Sequence, residues 1–283
     1  MVRFGTAGNP DNFYNSGNKK SIEMPLWLSE TGLSAYEYQC TKGVKITQKT
    51  AEELGKSAKE NDIYLSVHAP YYISLSSVEP EKRDNSVNYI ISTLQAAKYM
   101  DAKRIIVHAG SCSKISREEA LTLACETLKK ASVEAKNSGL DNISVCPETM
   151  GKINQLGTVD EVIEMCKVSE TFVPCIDFGH VNAREMGTLQ TLKNFEEIID
   201  KIHNGLGEER AKHFHVHFTR IAFTQGGEKC HLPYSDDSFG PCFDPFAELI
   251  VKRNLEPVVV CESPGTQDID ALIYKSILEG YSK

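Results

Sequence analysis

The sequence contains no run of 18 apolar residues, so no membrane-spanning helix is expected. Its start, MVRFGTAGNP, has no basic region leading into an apolar one and does not read as a signal peptide. A cytoplasmic protein with no membrane partner is the corresponding expectation. Positive charge is short: 31 Lys and Arg stand against 39 Asp and Glu, a net −8. That sign argues against holding nucleic acid by overall charge. The objection weakens if the protein carries several divalent cations, since three would bring −8 to −2. The nine cysteines contain no Cys-x-x-Cys pair, and Cys146, Cys175 and Cys261 sit inside apolar runs. They read as buried thiols of a reducing compartment. No glycine-rich phosphate fingerprint follows a strand-like run, which removes support for a two-domain open-sheet protein. No Pro/Ser-rich linker or low-complexity segment divides the chain.

What the chain does have is one pattern repeated eight times. Short runs of Val, Ile and aromatic residues alternate with longer segments of helical period. The strand-like runs are Val2–Thr6, Ala35–Cys40, Ile63–His68, Arg104–His108, Ile143–Glu148, Phe172–Asp177, His213–Phe218 and Pro257–Glu262. Among the helical segments, SREEALTLACETLKKASVEAKNSG is clear: Ser116 is placed as an N-cap, acids come early, lysines late, and Gly139 stops it. After the first strand only SIEMPLWLSE can supply a helix. Eight such units without a composition break predict one (β/α)8 barrel over residues 1–283, close to the ~250 residues typical of that fold.

In such a barrel the site lies at the C-terminal ends of the strands. Strands three to six end in His68, His108, Glu148 and Asp177, with His180 three residues further on. Strand seven carries His215, strand eight ends in Glu262, and the long loop after strand seven adds Glu228 and His231. One such residue is ordinarily structural. Six consecutive strand ends of this kind would repel or desolvate one another around a common axis unless cations neutralised them. The donors are nitrogen and oxygen only, which suits zinc or manganese, and nine side chains are too many for one four-coordinate ion.

The ordered series HAPYYISL, VHAGS, CPETMGKINQLGT, CIDFGH, HFHVHF, GGEKCH and VVVCES resembles the endonuclease IV family of zinc-dependent apurinic/apyrimidinic endonucleases, over roughly Ile63 to Glu262. The resemblance implies three zinc ions at the barrel mouth, with manganese as the substitute. His68 and His108 would hold the first, with Glu148 bridging to the second. Asp177, His215 and Glu262 would complete the second, and His180, Glu228 and His231 would hold the third. It further implies cleavage of double-stranded DNA 5′ to an abasic site, leaving a 3′-hydroxyl, with Glu148 and Glu262 as the catalytic carboxylates and the protein acting as a monomer. Tyr71 and Tyr72 would face the DNA beside the flipped nucleotide. Lys42, Lys45 and Arg220 would contact the backbone, with Lys152 and Arg184 as further candidates.

The sequence departs from the family pattern in three places: the opening RFGTAGNPDNF, the loop CTKGVKI after strand two, with lysines where the family offers an arginine to DNA, and the last ligand pair. The last ligand pair in the family is Asp-x-His, whereas Glu228-Lys-Cys-His231 is one residue longer. His213, His215 and His217 alternate and share one side. His215 is chosen by its spacing to Glu228, which leaves His217 as a support or phosphate contact. The wider superfamily also contains sugar isomerases and epimerases with a single metal, for which Glu148 and Glu262 would be acid and base. A non-catalytic metal-binding protein is the third reading.

Overall fold

Seven parallel strands follow in order: β1 (Arg3–Ala7), β2 (Ala35–Gln39), β3 (Tyr64–His68), β4 (Arg104–His108), β5 (Ser144–Glu148), β6 (Cys175–Asp177) and β7 (His215–His217). A two-stranded antiparallel hairpin comes next, β8 (Arg220–Thr224) and β9 (Gly227–Leu232), outside the barrel sheet. β10 (Val258–Cys261) then pairs with β7 on one side and β1 on the other, closing an eight-stranded barrel. These assignments come from a computed structural model that describes residues 1–282. Among those residues no helix is long and apolar enough to cross a membrane.

The barrel follows from period-two alternation in strands that are apolar on their outer face. Leu65 and Val67, Ile105 and Val107, Ile176, Val216 and Val259 all join the layer between sheet and helices. Their alternates point inward. Some are apolar, as in the Ile106, Cys146 and Cys175 group; others are polar, as with Glu37, Ser66 and His68. The outer layer includes Phe178, Phe195, Phe214, Phe218 and Phe246, all fully buried. Burial of one such ring stabilises by roughly 1.5–3 kcal/mol.

Two outer helices keep the expected boundaries, whereas the short helix Asp11–Asn15 after β1 is not among those expected. Ser116 Oγ accepts from Glu119 N at 3.1 Å at the start of the helix Arg117–Asn137, and Gly139 follows its end in the left-handed region. Behind the first strand, Ser21–Glu23 forms a 3-10 turn that runs into the helix Met24–Thr31. The long loop expected after strand seven is mostly the β8–β9 hairpin. RIAFT is a β-rich run in its own right, and the turn into GEKCHL uses Gly227 at φ +89°. A ninth and a tenth strand escape a reading that looks for eight barrel units.

Candidate metal centre

Glu148 stands at the middle of the barrel mouth, 1% exposed, with four imidazoles around it. Its Oε2 lies 3.5 Å from His68 Nε2 and 3.3 Å from His108 Nε2. Its Oε1 lies 2.9 Å from His217 Nδ1 and 3.6 Å from His180 Nδ1. Strand register explains the arrangement: His108 pairs with Glu148 and Asp177 with His217, so each pair projects to one face at one height. Glu262, just past β10, brings Oε2 to 3.3 Å from His217 Nδ1. Among the described residues, five groups have ligand atoms within 4.8 Å of one another, and three of them use only strand ends and the hairpin: His68, His108 and Glu148; Glu148, Asp177, His217 and Glu262; His180, Glu228 and His231. The other two, Cys175 with His215 and His217, and Glu37 with His68 and Glu262, draw on residues deeper in the strands.

The donor set fits divalent cations. His68 Nδ1 is 2.9 Å from the Ala69 carbonyl oxygen, and His180 Nδ1 is 2.9 Å from that of Thr149. A carbonyl only accepts, so both rings carry a hydrogen on Nδ1 and, when neutral, present Nε2 as a lone pair. These lone pairs face carboxylate oxygens, His180 Nε2 lying 3.4 Å from Glu228 Oε2. Acceptors meet acceptors. Glu148 Oε2 and Asp177 Oδ2 are buried without a hydrogen-bond donor. Asp177 Oδ2 is 3.1 Å from His180 Nδ1, but that hydrogen goes to Thr149. A cation is what such a set accommodates, and the carbonyl bonds beneath the rings fix their orientation for it.

Burial and neighbouring charge also set the protonation of these groups against one another. Burial pushes the Asp177 carboxyl up to about 7. Burial lowers His68, but the adjoining Glu148 outweighs it and lifts the ring to about 9. His108, beside the same carboxylate, is pushed down by burial to about 4, so one of the two imidazoles takes the proton. Glu262 is driven up by burial and down further by His217, to about 2, and stays ionised at neutral pH.

The third group depends on the hairpin. In a regular strand Glu228 and His231, three apart, would face opposite sides. The register shifts between Ala222 and Phe223: Cys230 pairs with Ala222, and Glu228 with Phe223. Lys229 is the extra residue of a β-bulge, and it restores Glu228 and His231 to one face. His231 then stands with its ring 5.4 Å from that of His180. The hairpin is seated against the loop after β5. A Cβ on Gly227 would lie 2.2 Å from the Gly151 carbonyl oxygen, and one on Gly151 would lie 2.6 Å from Glu228 Cβ. Only glycines allow that approach.

That loop is pinned by buried charge. Glu161 Oε2 accepts from Gly157 N at 2.8 Å, Thr158 N at 2.9 Å and Arg117 Nη2 at 3.1 Å. Burial raises the Glu161 carboxyl, but Arg117 and the two amides outweigh it and hold it below its ordinary range. A depressed folded-state value means stability that is present above the unfolded pKa, near ~4.3, and lost as pH falls through the folded one. Glu161→Gln is therefore expected to destabilise by about 1–3 kcal/mol at pH 7. The gap from wild type should narrow below pH 4. Urea unfolding at pH 7 and pH 3 measures both; equal gaps would show that the ionised carboxylate is not the source.

Several sequence expectations need correction. His217, not His215, stands among Glu148, Asp177 and Glu262. His215 is about 6.6 Å deeper along the strand, with Nε2 3.0 Å from Glu37 Oε2. Counting loop residues to Glu228 cannot reveal how far the strand extends before the hairpin. His213 is not on the strand: it ends the short helix Glu208–Lys212. Arg184 binds the main chain at Met150 (2.8 Å) and Gln155 (2.8 Å), and Arg220 stacks 4.6 Å over Tyr234 while donating to Asp236 O. Both are structural staples. Tyr71 is 55% exposed, with its ring 5.6 Å from His108 and 5.9 Å from His68; Tyr72 leans on Tyr89 instead. Lys42, Lys45 and Lys152 are exposed. Glu37 is a further residue of this centre that strand-end position does not reveal, because it sits mid-strand. A charged residue in the apolar run AYEYQ was the available signal.

Residues 25–279 match the family of xylose isomerase-like TIM barrels, and the chain belongs to it. It is 33% identical to an uncharacterized protein, MJ0133, of Methanocaldococcus jannaschii, over 97% of this chain and 96% of that one. It is 26% identical to a probable endonuclease 4 of Malacoplasma penetrans, over 63% of this chain and 68% of that protein. In fold it is similar to a solved D-tagatose 3-epimerase-like protein, with a TM-score of 0.72 and 21% identity over 99% of this chain and 97% of that one.

Proposed function

We propose that this protein is a metal-dependent phosphodiesterase that cleaves double-stranded DNA 5′ to abasic sites. The observation that carries the reading is the third ligand group, His180, Glu228 and His231, which a bulged hairpin delivers beside the other two. A single-ion sugar isomerase or epimerase would be served by Glu148, Asp177, His217 and Glu262 alone, which form a complete four-ligand set. That set, together with the epimerase-like fold relative, is what favours the second reading. It leaves His68, His108 and the hairpin pair without work.

Bound at the three groups, zinc or manganese would polarise a phosphodiester and make water a nucleophile at neutral pH. The chain's own residues do the rest. His68 and His180 are locked by main-chain carbonyls with Nε2 toward the mouth. Glu262, with an 18% exposed side chain, is the carboxylate best reached from solvent, and its oxygen would accept the proton released by attacking water. Glu148, closed off from solvent, holds the groups in one frame. Tyr71 offers an aromatic face beside His108 for the nucleoside that flanks the lesion.

An assay on a duplex with one abasic site, run alongside elemental analysis, tests the reading. Three ions per chain and a single 5′ incision are expected. One ion and no incision would favour the sugar enzyme. Since the net charge is −8, DNA affinity must come from the mouth and its exposed lysines. Each phosphate contact should add a slope of about −0.9 to the salt dependence of duplex binding. Tyr71→Ala is expected to weaken binding to abasic duplex several-fold while leaving intact duplex nearly unchanged, because only the lesion complex exposes unstacked bases. Titrating both duplexes measures this, and equal losses would remove Tyr71 from lesion recognition.

A further inference from the structure

Glu37 lies below the site described above, in the middle of β2, and none of the chemistry proposed there uses it. It is fully buried. Its Oε1 accepts from Gln39 Nε2 at 3.1 Å and faces His217 Nε2 at 3.1 Å. Its Oε2 accepts from Ser66 Oγ at 2.9 Å and faces His215 Nε2 at 3.0 Å. An ionised carboxylate has about four acceptor positions and no hydrogen to give. All four are occupied, so each neighbour must supply the hydrogen, and both imidazoles are held as Nε2–H.

The consequence for His217 is specific. With hydrogen fixed on Nε2, the neutral ring has its lone pair on Nδ1, the atom 2.9 Å from Glu148 Oε1 and 3.3 Å from Glu262 Oε2. We propose that Glu37 is a positioning residue that sets the tautomer and ring orientation of His217, so that Nδ1 serves as a ligand in the group of Glu148, Asp177 and Glu262. The inference rests on the metal reading given above.

The other rings of the centre show why a carboxylate is needed here. His68 and His180 donate Nδ1–H to the carbonyls of Ala69 and Thr149 and keep Nε2 for a cation. His217 is turned the other way round, and the acceptor beneath its Nε2 is Glu37. A buried carboxylate beneath a ligating imidazole fixes the ring and raises its basicity more than a neutral acceptor does. His215 completes the support. It takes the second oxygen of the same carboxylate, and its ring meets that of His217 edge-on at 5.4 Å. A charge in mid-strand that would otherwise destabilise the barrel is thus satisfied on every side.

The test uses the full chain with zinc as the probe. In wild type, long-range 1H–15N spectra of the imidazoles should show His217 protonated on Nε2, with Nδ1 bound to zinc. Glu37→Gln replaces two acceptor positions by two amide hydrogens, so the His217 Nε2–H resonance should move upfield or vanish. Chelator competition should show one zinc weakened by about 10–100-fold, with the other two retained. Wild-type spectra that place the His217 proton on Nδ1 overturn the inference, whether or not the variant folds. So does a Glu37→Gln protein that keeps both the resonance and all zinc affinities unchanged. If wild type binds no zinc, the reading of the metal centre fails. The Nε2–H signal and its response to Glu37→Gln would still decide the role of Glu37.

Discussion

Glu148→Gln is expected to leave a folded barrel whose hydrolysis of abasic duplex has fallen by about 10³-fold or more. The substitution preserves shape and removes one negative charge from the point where ligand groups meet. Both oxygens of Glu148 are engaged: Oε2 faces His68 and His108, and Oε1 faces His217. Fixed charge aimed at a developing transition state is worth several kcal/mol in a site closed to water, and loss of one well-placed hydrogen-bond donor alone typically costs 10²–10³-fold. The amide nitrogen also places hydrogens against imidazole nitrogens or cations, so no rotamer restores the original pattern. The informative measurements are turnover and ion content on the same sample. Near-normal turnover with all ions bound would remove Glu148 from its bridging role. A protein that is folded, metal-loaded and inactive is the outcome that supports it.

His231→Ala should release one ion of three and retain the other two. His231 belongs only to the group with His180 and Glu228, whereas Glu148 is shared between the first two groups. Hydrolysis is expected to drop by about 10²-fold or more, since a cation that would stabilise charge on the phosphate is lost. Deleting Lys229 provides the matching control. It turns the i,i+3 pair into an i,i+2 pair, and two residues apart on a strand share a face without a bulge. The deletion should therefore keep the third ion and leave a straighter hairpin. Elemental analysis of both variants separates the possibilities. Full ion content in His231→Ala would mean that the hairpin carries no ligand. Loss of the ion on deleting Lys229 would mean that the bulge places more than the phase of the strand.

Much of the barrel was legible in the sequence because its determinants are local and periodic. Arg104–His108 is a strand from end to end as read, and β3 and β5 keep the predicted ends His68 and Glu148. A short, mostly apolar run ending in a histidine or acid defines strand and orientation together, since alternation ties the outward valines to the inward ligand. His68, His108, Glu148, Asp177, His180, Glu228, His231 and Glu262 could be named from position alone, and the structure brings them together at one mouth.

What the sequence could not decide depends on phase and depth between segments far apart in the chain. Alternation says that His215 and His217 share a face, but only the pairing of β7 with β6 and β10 sets which one is level with Asp177 and Glu262. The bulge at Lys229 is likewise invisible without β8 opposite, because a register shift is a property of two strands. Arg184 and Arg220 looked free for a ligand until the fold supplied carbonyl groups and a tyrosine ring to occupy them. Glu37 is the extreme case. Its four partners come from β2, β3 and β7, as many as 180 residues apart, and barrel closure alone brings them around one carboxylate. Local pattern determined the elements and the inward-facing chemistry; the registers of a closed sheet decided which of those groups meet.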